Sequence, residues 1–168
     1  MSIIDIFKPL RKSTVQKYKE LGSYQSLFSC FGEDIYKSDT VRASIRTLAE
    51  FSAKAEAKCS DKKLERILNY RPNIYMNGTD FIKKVRTRLE ILNTAFVYIE
   101  RNDRLQVVGL YPVPFSYYEA LEYAGEIFIK FHFNGSAAEN LVLPWCDLAA
   151  FRKDYNKSDF GGYYRQDY

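Results

Sequence analysis

Residues capable of acid–base or nucleophilic chemistry are few and far apart in this sequence. His132 is the single histidine. Acyl transfer needs a nucleophile, a base and a group that orients the base, and no Gly-x-Ser-x-Gly turn supplies the nucleophile. Residues 126–133 alternate, with Ile127, Ile129, Phe131 and Phe133 on one face and Lys130 and His132 on the other, so His132 is expected as an exposed histidine on a sheet. Cys30, Cys59 and Cys146 form no Cys-x-x-Cys pair, which argues against zinc. The carboxylates Asp80, Glu90, Glu100, Glu119 and Glu122 are expected at scattered surface positions, and no spacing brings two of them together as a glycosidase pair.

Cofactor chemistry has no better footing. The 8 glycines form no run ahead of a helix, so no phosphate-cradling loop is present. A dinucleotide site would need parallel βαβ units, which the pattern lacks. Asp159-Phe160-Gly161 spells the metal-binding triplet of protein kinases, but no lysine strand or catalytic loop accompanies it. The expectation is no catalytic, cofactor or metal site, and no small-molecule substrate.

One charged group could bind without catalysing. Lys83, Lys84, Arg86 and Arg88 sit together, Lys84 and Arg88 at four-residue spacing and Lys83 close to Arg86. Phosphate contact needs only such charges. Asp80 and Glu90 flank the group, and a plain solvated face is the competing reading.

These residues must be positioned by a helix-then-sheet chain. Residues 1–39 are mixed and read as a partly flexible or partner-docked arm; a membrane-surface helix there is interrupted by Pro9. Residues 40–58 read as a helix, capped by Asp39 or Thr40, with Val41, Ile45, Leu48 and Phe51 as its stripe. Residues 61–69 give a second helix with Asp61 as N-cap. Pro72 and the Asn77-Gly78 pair mark a linker. Thr79 or Asp80 caps a third helix, 80–92, whose buried stripe is Phe81, Ile82, Val85, Leu89 and Leu92. The period then changes to two. Residues 95–100 and 107–110 form a hairpin around Asn102-Asp103, ended by Pro112 and Pro114. Residues 115–123 and 126–133 pair around Ala124-Gly125, and Leu141-Val142-Leu143 adds a short strand. Residues 154–168 read as a polar tail. The fold class is α+β: N-terminal helices followed by an antiparallel β meander.

Composition is that of a globular chain, 46% hydrophobic and 27% charged, with a formal net charge of +4 that permits nucleic-acid contact without arguing for it. Many of the tyrosines fall in or near the candidate strands, where they suit half-buried faces and subunit contacts. No apolar run approaches the roughly 20 residues that span a bilayer. The odd cysteine count and the start Met1-Ser2-Ile3-Ile4 suggest reduced thiols and synthesis in a cytoplasm.

From about Val41 to Asp159 the sequence resembles the N-terminal wing portion of portal proteins from long-tailed double-stranded DNA phages. After the helix Val41 to Ala57, the segment Leu68-Asn69-Tyr70-Arg71-Pro72-Asn73-Ile74-Tyr75-Met76-Asn77-Gly78 resembles the family's linker of leucine-asparagine, proline-asparagine, then methionine and a small residue. Phe81 follows at its expected place. Leu92-Asn93-Thr94-Ala95-Phe96 through Asn102 resembles the glycine-asparagine-alanine-tyrosine start of a strand, Val108 to Pro114 a strand end marked by two prolines, and Leu143-Pro144 with Asp147 a closing stretch. Asn93-Thr94 stands where the family prefers glycine-asparagine, and Ala150 about where histidine is common.

The resemblance implies a non-enzymatic structural subunit, with residues 40–153 as a wing-like domain and the stem helices, clip and tunnel-lining helix lying beyond a truncation near Tyr168. It further implies a twelve-subunit ring (a dodecamer when full length) at one capsid vertex of a virion or prophage particle. The ring's partners would be other portal subunits, the packaging ATPase (terminase), capsid and head-tail adaptor proteins, and the double-stranded DNA passing through; no membrane is implied. The competing reading is a stand-alone α+β interaction module that binds a peptide or acidic partner through a Tyr-rich sheet.

Overall fold

The computed structural model describes residues 19–24, 36–133 and 140–153. In chain order the elements are β1 (Lys19–Tyr24), α1 (Asp39–Ser52), α2 (Lys62–Tyr70), α3 (Gly78–Leu92), β2 (Thr94–Arg101), β3 (Val107–Pro112), β4 (Tyr117–Tyr123), β5 (Glu126–His132), β6 (Leu141–Pro144), a 3-10 turn (Trp145–Asp147) and β7 (Leu148–Arg152). The α+β class holds, and all strand pairs among the described residues are antiparallel.

The expected meander resolves into two sheets, in the orders β1-β4-β5-β6 and β3-β2-β7. Two strands escape the sequence pattern. Lys19–Tyr24 has no apolar alternation, and its partner β4 lies about a hundred residues away. Leu148–Arg152 carries Ala149-Ala150, which reads weakly as strand, and it pairs with the far edge of β2.

The chain divides into two compact units, Leu27–Val113 with Asp147–Tyr168, and Met1–Ser26 with Pro114–Cys146. In the helical unit, Phe81 and Val85 of α3 pack with Ala95 and Val97 of β2 and Leu110 of β3; Leu64, Ile67 and Leu68 of α2 join them. On α1 the expected stripe is only partly used. Ile45 and Ala49 are buried, while Leu48 and Phe51 stay exposed. α1 also ends at Ser52, six residues before its expected end, and beyond it both ends of the Asn69 side-chain amide clasp the Ala57 backbone: Nδ2 donates to Ala57 O at 2.9 Å and Oδ1 accepts from Ala57 N at 2.8 Å.

The caps follow ordinary chemistry. Asp61 accepts from the Lys63 and Leu64 amides at the start of α2, as expected. α3 begins two residues early, capped by Asn77, whose side chain accepts from Asp80 N. It ends on Asn93 at φ 53°, a left-handed C-cap that favours glycine and admits asparagine next. The departure from the glycine of the resembled pattern therefore falls where asparagine is the best-tolerated substitute.

In the sheet unit, Tyr118, Ala120, Ile129, Phe131 and Leu143 point to one buried face. Phe115 meets Tyr118 edge-on and Phe131 at a tilt. The β4–β5 turn is the expected two-residue Ala124-Gly125, with both residues at positive φ.

Candidate functional site

Residues that resemble a family motif, and residues that carry charge, meet on α3 and its approach. The approach is built from backbone. Asn69 holds Ala57 as above. Pro72 O accepts from Leu110 N at 2.7 Å, and Asn73 Nδ2 returns a bond to Leu110 O at 2.8 Å, so the linker docks on the outer edge of β3. Asn73 Oδ1 also accepts from Tyr75 N at 2.9 Å. Gly78 starts α3 against the end of α2. A Cβ there would lie 2.2 Å from Asn69 O and 2.7 Å from Leu68 O, which explains a small residue at this point. The motif is a set of staples joining α2, α3 and β3, with no reactive group in it.

A second close approach lies on the sheet behind. Gly109 leaves room for the Glu100 carboxylate and the Tyr111 ring, which would stand 2.6 and 2.7 Å from a Cβ. The Tyr111 hydroxyl donates to Glu100, and burial together with that carboxylate pushes the Tyr111 pKa up to about 12. Tyr111 is a packing residue at any ordinary pH.

The four cations proposed from sequence separate into three environments. Arg86 lies at ion-pair distance from Glu90, Nη2 2.5 Å from Oε1 but outside hydrogen-bond geometry, and Lys153 takes the other oxygen at 2.6 Å. The Glu90 side chain is only 7% exposed, so it is no surface carboxylate. Lys83 lines a groove of about 590 Å³ between α1 and α3, across from Glu50 and Arg46, which pair with each other at 2.9 Å. Lys84 and Arg88 remain on one face, one turn apart and half-buried. Burial, then the Arg88 charge, holds Lys84 below the ordinary lysine value; burial lowers Arg88. Among the described residues no acid pairs with either.

The sheet unit holds a polar cluster that spacing alone did not reveal. His132 is buried, contrary to the expectation of an exposed ring. Its register partner Tyr117 lies flat on it, with ring centroids 3.9 Å apart and planes 8° from parallel. Glu119 sits between two cationic side chains, Lys130 Nζ 3.1 Å from Oε2 and His132 Nε2 3.1 Å from Oε1. The His132 contact is an approach in distance that falls outside strict hydrogen-bond geometry. Burial alone would raise the Glu119 pKa, but the Lys130 hydrogen bond and charge, helped by His132, bring it below the ordinary value. Cross-strand neighbours at i and i+2 could have been paired from the sequence once the Ala124-Gly125 register was fixed.

No group of three or more His, Cys, Asp or Glu among the described residues could hold a metal ion. No described helix is long and apolar enough to cross a membrane. Asp159 to Gly161 and the polar 154–168 segment lie outside the described residues, as does Cys30.

Two solved structures share this fold. One is a chain from "Neck of empty GTA particle computed with C6 symmetry", with TM-score 0.69 and 9% identity, covering 85% of this chain and 41% of that one. The other is from "Virion of native gene transfer agent (GTA) particle", with TM-score 0.70 and 9% identity, covering 86% and 41%. This chain thus spans about two fifths of the length of each. No curated protein matches the sequence. The family described as "Phage portal protein" matches residues 39–165, from the first residue of α1 to beyond β7. That match takes in the stapled linker, the left-handed Asn93 cap and both proline-marked strand ends, and the chain belongs to the phage portal protein family.

Proposed function

We propose that this chain is the wing portion of a portal-ring subunit, a non-enzymatic wall segment at the capsid vertex of a phage or prophage particle. The carrying observation is that the family match runs through residues whose roles are to fix backbone: Asn69, Pro72, Asn73 and Gly78. A ring subunit must hold its shape while presenting two different surfaces to its neighbours. Its partners in this reading are further copies of itself, capsid and head-tail adaptor proteins, the packaging ATPase and the DNA that passes through. The cations of α3 are where the wing would meet an anionic group, either phosphate or an acidic partner.

The Tyr-rich interaction module is the less favoured reading. Two of its sheet tyrosines, Tyr111 and Tyr118, are 8% and 2% exposed and unavailable to a ligand.

The test is assembly. The complete gene product should form closed rings by electron microscopy, and antibody against residues 40–153 should label one vertex of particles from the producing cell. Monomers of the complete product, with label absent from particles, would refute the reading.

A further inference from the structure

We infer that Lys84 and Arg88 form a two-cation receptor for a carboxylate borne by a protein partner, and that they are not a DNA-backbone contact. The inference rests on the portal reading for its setting and on the geometry of α3 for its content.

Three observations separate this pair from its neighbours. Arg86 and Lys153 share Glu90, and Lys83 faces the Glu50 carboxylate, itself paired with Arg46, across the groove. Lys84 and Arg88 have no such acid among the described residues. They stand one turn apart, about 5–6 Å between Cβ atoms, with no opposite charge between them. Each is also half-buried, next to the Phe81 and Val85 stripe at three-residue spacing. Two desolvated like charges on one helix face lower stability unless an anion reaches them.

The shape of the site selects the anion. Duplex binding draws its strength from several protruding cations, each releasing counterions from the DNA. Here two of the four candidates are already engaged or faced by acids, and the remaining two are recessed. A single carboxylate fits better. It can accept two parallel bonds from the planar Arg88 guanidinium while the Lys84 ammonium supplies a further donor.

The experiment pairs stability with binding, using the full 168-residue chain, Lys84→Gln with Arg88→Met, Lys84→Gln alone, and a control, Lys58→Gln with Lys63→Gln, at exposed positions. Thermal melting reads the first arm. With no acid in place, removing the two charges raises Tm by roughly 2–4 °C, and the control does not. Binding of poly-L-glutamate and of a 20-base-pair duplex at low salt reads the second. The double variant should weaken poly-L-glutamate by about tenfold or more, with Lys84→Gln between it and the parent, and should change duplex binding no more than the control does. A fall in Tm would overturn the inference by showing that the pair stabilises this chain by itself. Selective loss of the duplex would overturn it in favour of phosphate, and unchanged binding of both probes would show a closed structural pair. The ring reading stands or falls separately, on assembly of the complete gene product.

Discussion

The linker Asn69–Gly78 and the cation run Lys83–Arg88 lie within twenty residues of each other and behave oppositely. Every distinctive residue of the linker bonds or presses on backbone: Asn69 on Ala57, Pro72 and Asn73 on Leu110, Gly78 on the end of α2. The cation run keeps its residues adjacent in sequence but sends them to different neighbours, one to Glu90, one across from Glu50, two to a recessed face with no acid among the described residues. Backbone roles are dictated by residue type, since only some residues fit a left-handed φ, a close approach or a paired amide bond. A charge has no such fixed destination. Its role is set by whichever partner the fold brings near, and by how much water is left around it.

The harshest way to break the linker is Gly78→Ala. Its new methyl would lie 2.2 Å from a backbone carbonyl oxygen that cannot swing aside. The loss should be about 3 kcal/mol or more in urea unfolding, enough to unfold a marginal chain. A change within 0.5 kcal/mol, a surface-like effect, would mean that the α2–α3 junction is not the tight contact described.

Asn73→Ala comes next. It strips a buried bond from Leu110 O and an acceptor from Tyr75 N. The expected cost is about 2 kcal/mol, the range for leaving buried groups unpaired. Hydrogen exchange sharpens the assignment, because the Leu110 amide, bonded to Pro72 O, should lose protection more than the amides of β2 do. Equal loss everywhere would point to global destabilisation and not to undocking of the linker from β3.

These contrasts explain what could be read ahead of the structure. The three helices, both hairpins and the Asp61 cap follow from period and turn chemistry, which act over a few residues. β1 and β7 do not, because each is defined by a partner far along the chain and neither carries a clean alternation. Alternation puts His132 opposite Ile129 and Phe131, as observed, but its burial involves Tyr117 lying across it, a cross-strand fact. In the sequence Glu90 reads as a surface acid, because one of its two cations, Lys153, lies sixty-three residues on.

The Glu119 cluster tests the same lesson with pH. Its pKa is lower in the folded chain than the ordinary 4.5. The unfolded chain therefore binds the proton more readily, and the cluster's stabilisation is complete above the ordinary value. It fades as pH falls through the folded value. Glu119→Gln should flatten the acid limb of a Tm-against-pH curve below about pH 4.5 while changing the neutral end less than Asn73→Ala does. An unaltered acid limb would assign that limb to other carboxylates.

The smallest expected effect is a gain, at a place where the chain departs from the rule the linker obeys. Asn93 and Ala124 both hold a left-handed backbone, each at φ 53°. Asparagine suits that conformation and alanine does not, because the alanine Cβ crowds the following carbonyl. A two-residue hairpin turn with positive φ at both positions prefers Asn-Gly, and this one reads Ala124-Gly125. Ala124 is exposed at the tip of β4 and β5, so a larger side chain meets solvent only. Ala124→Asn should then stabilise by about 0.5–1 kcal/mol through relieved strain alone. The parallel change Asn93→Ala should cost a similar amount at the end of α3. If Ala124→Asn is neutral while Asn93→Ala is costly, the asparagine side chain at 93 contributes through its hydrogen bonding and not through its tolerance of φ. Legibility at such positions would then rest on polar chemistry more than on backbone shape.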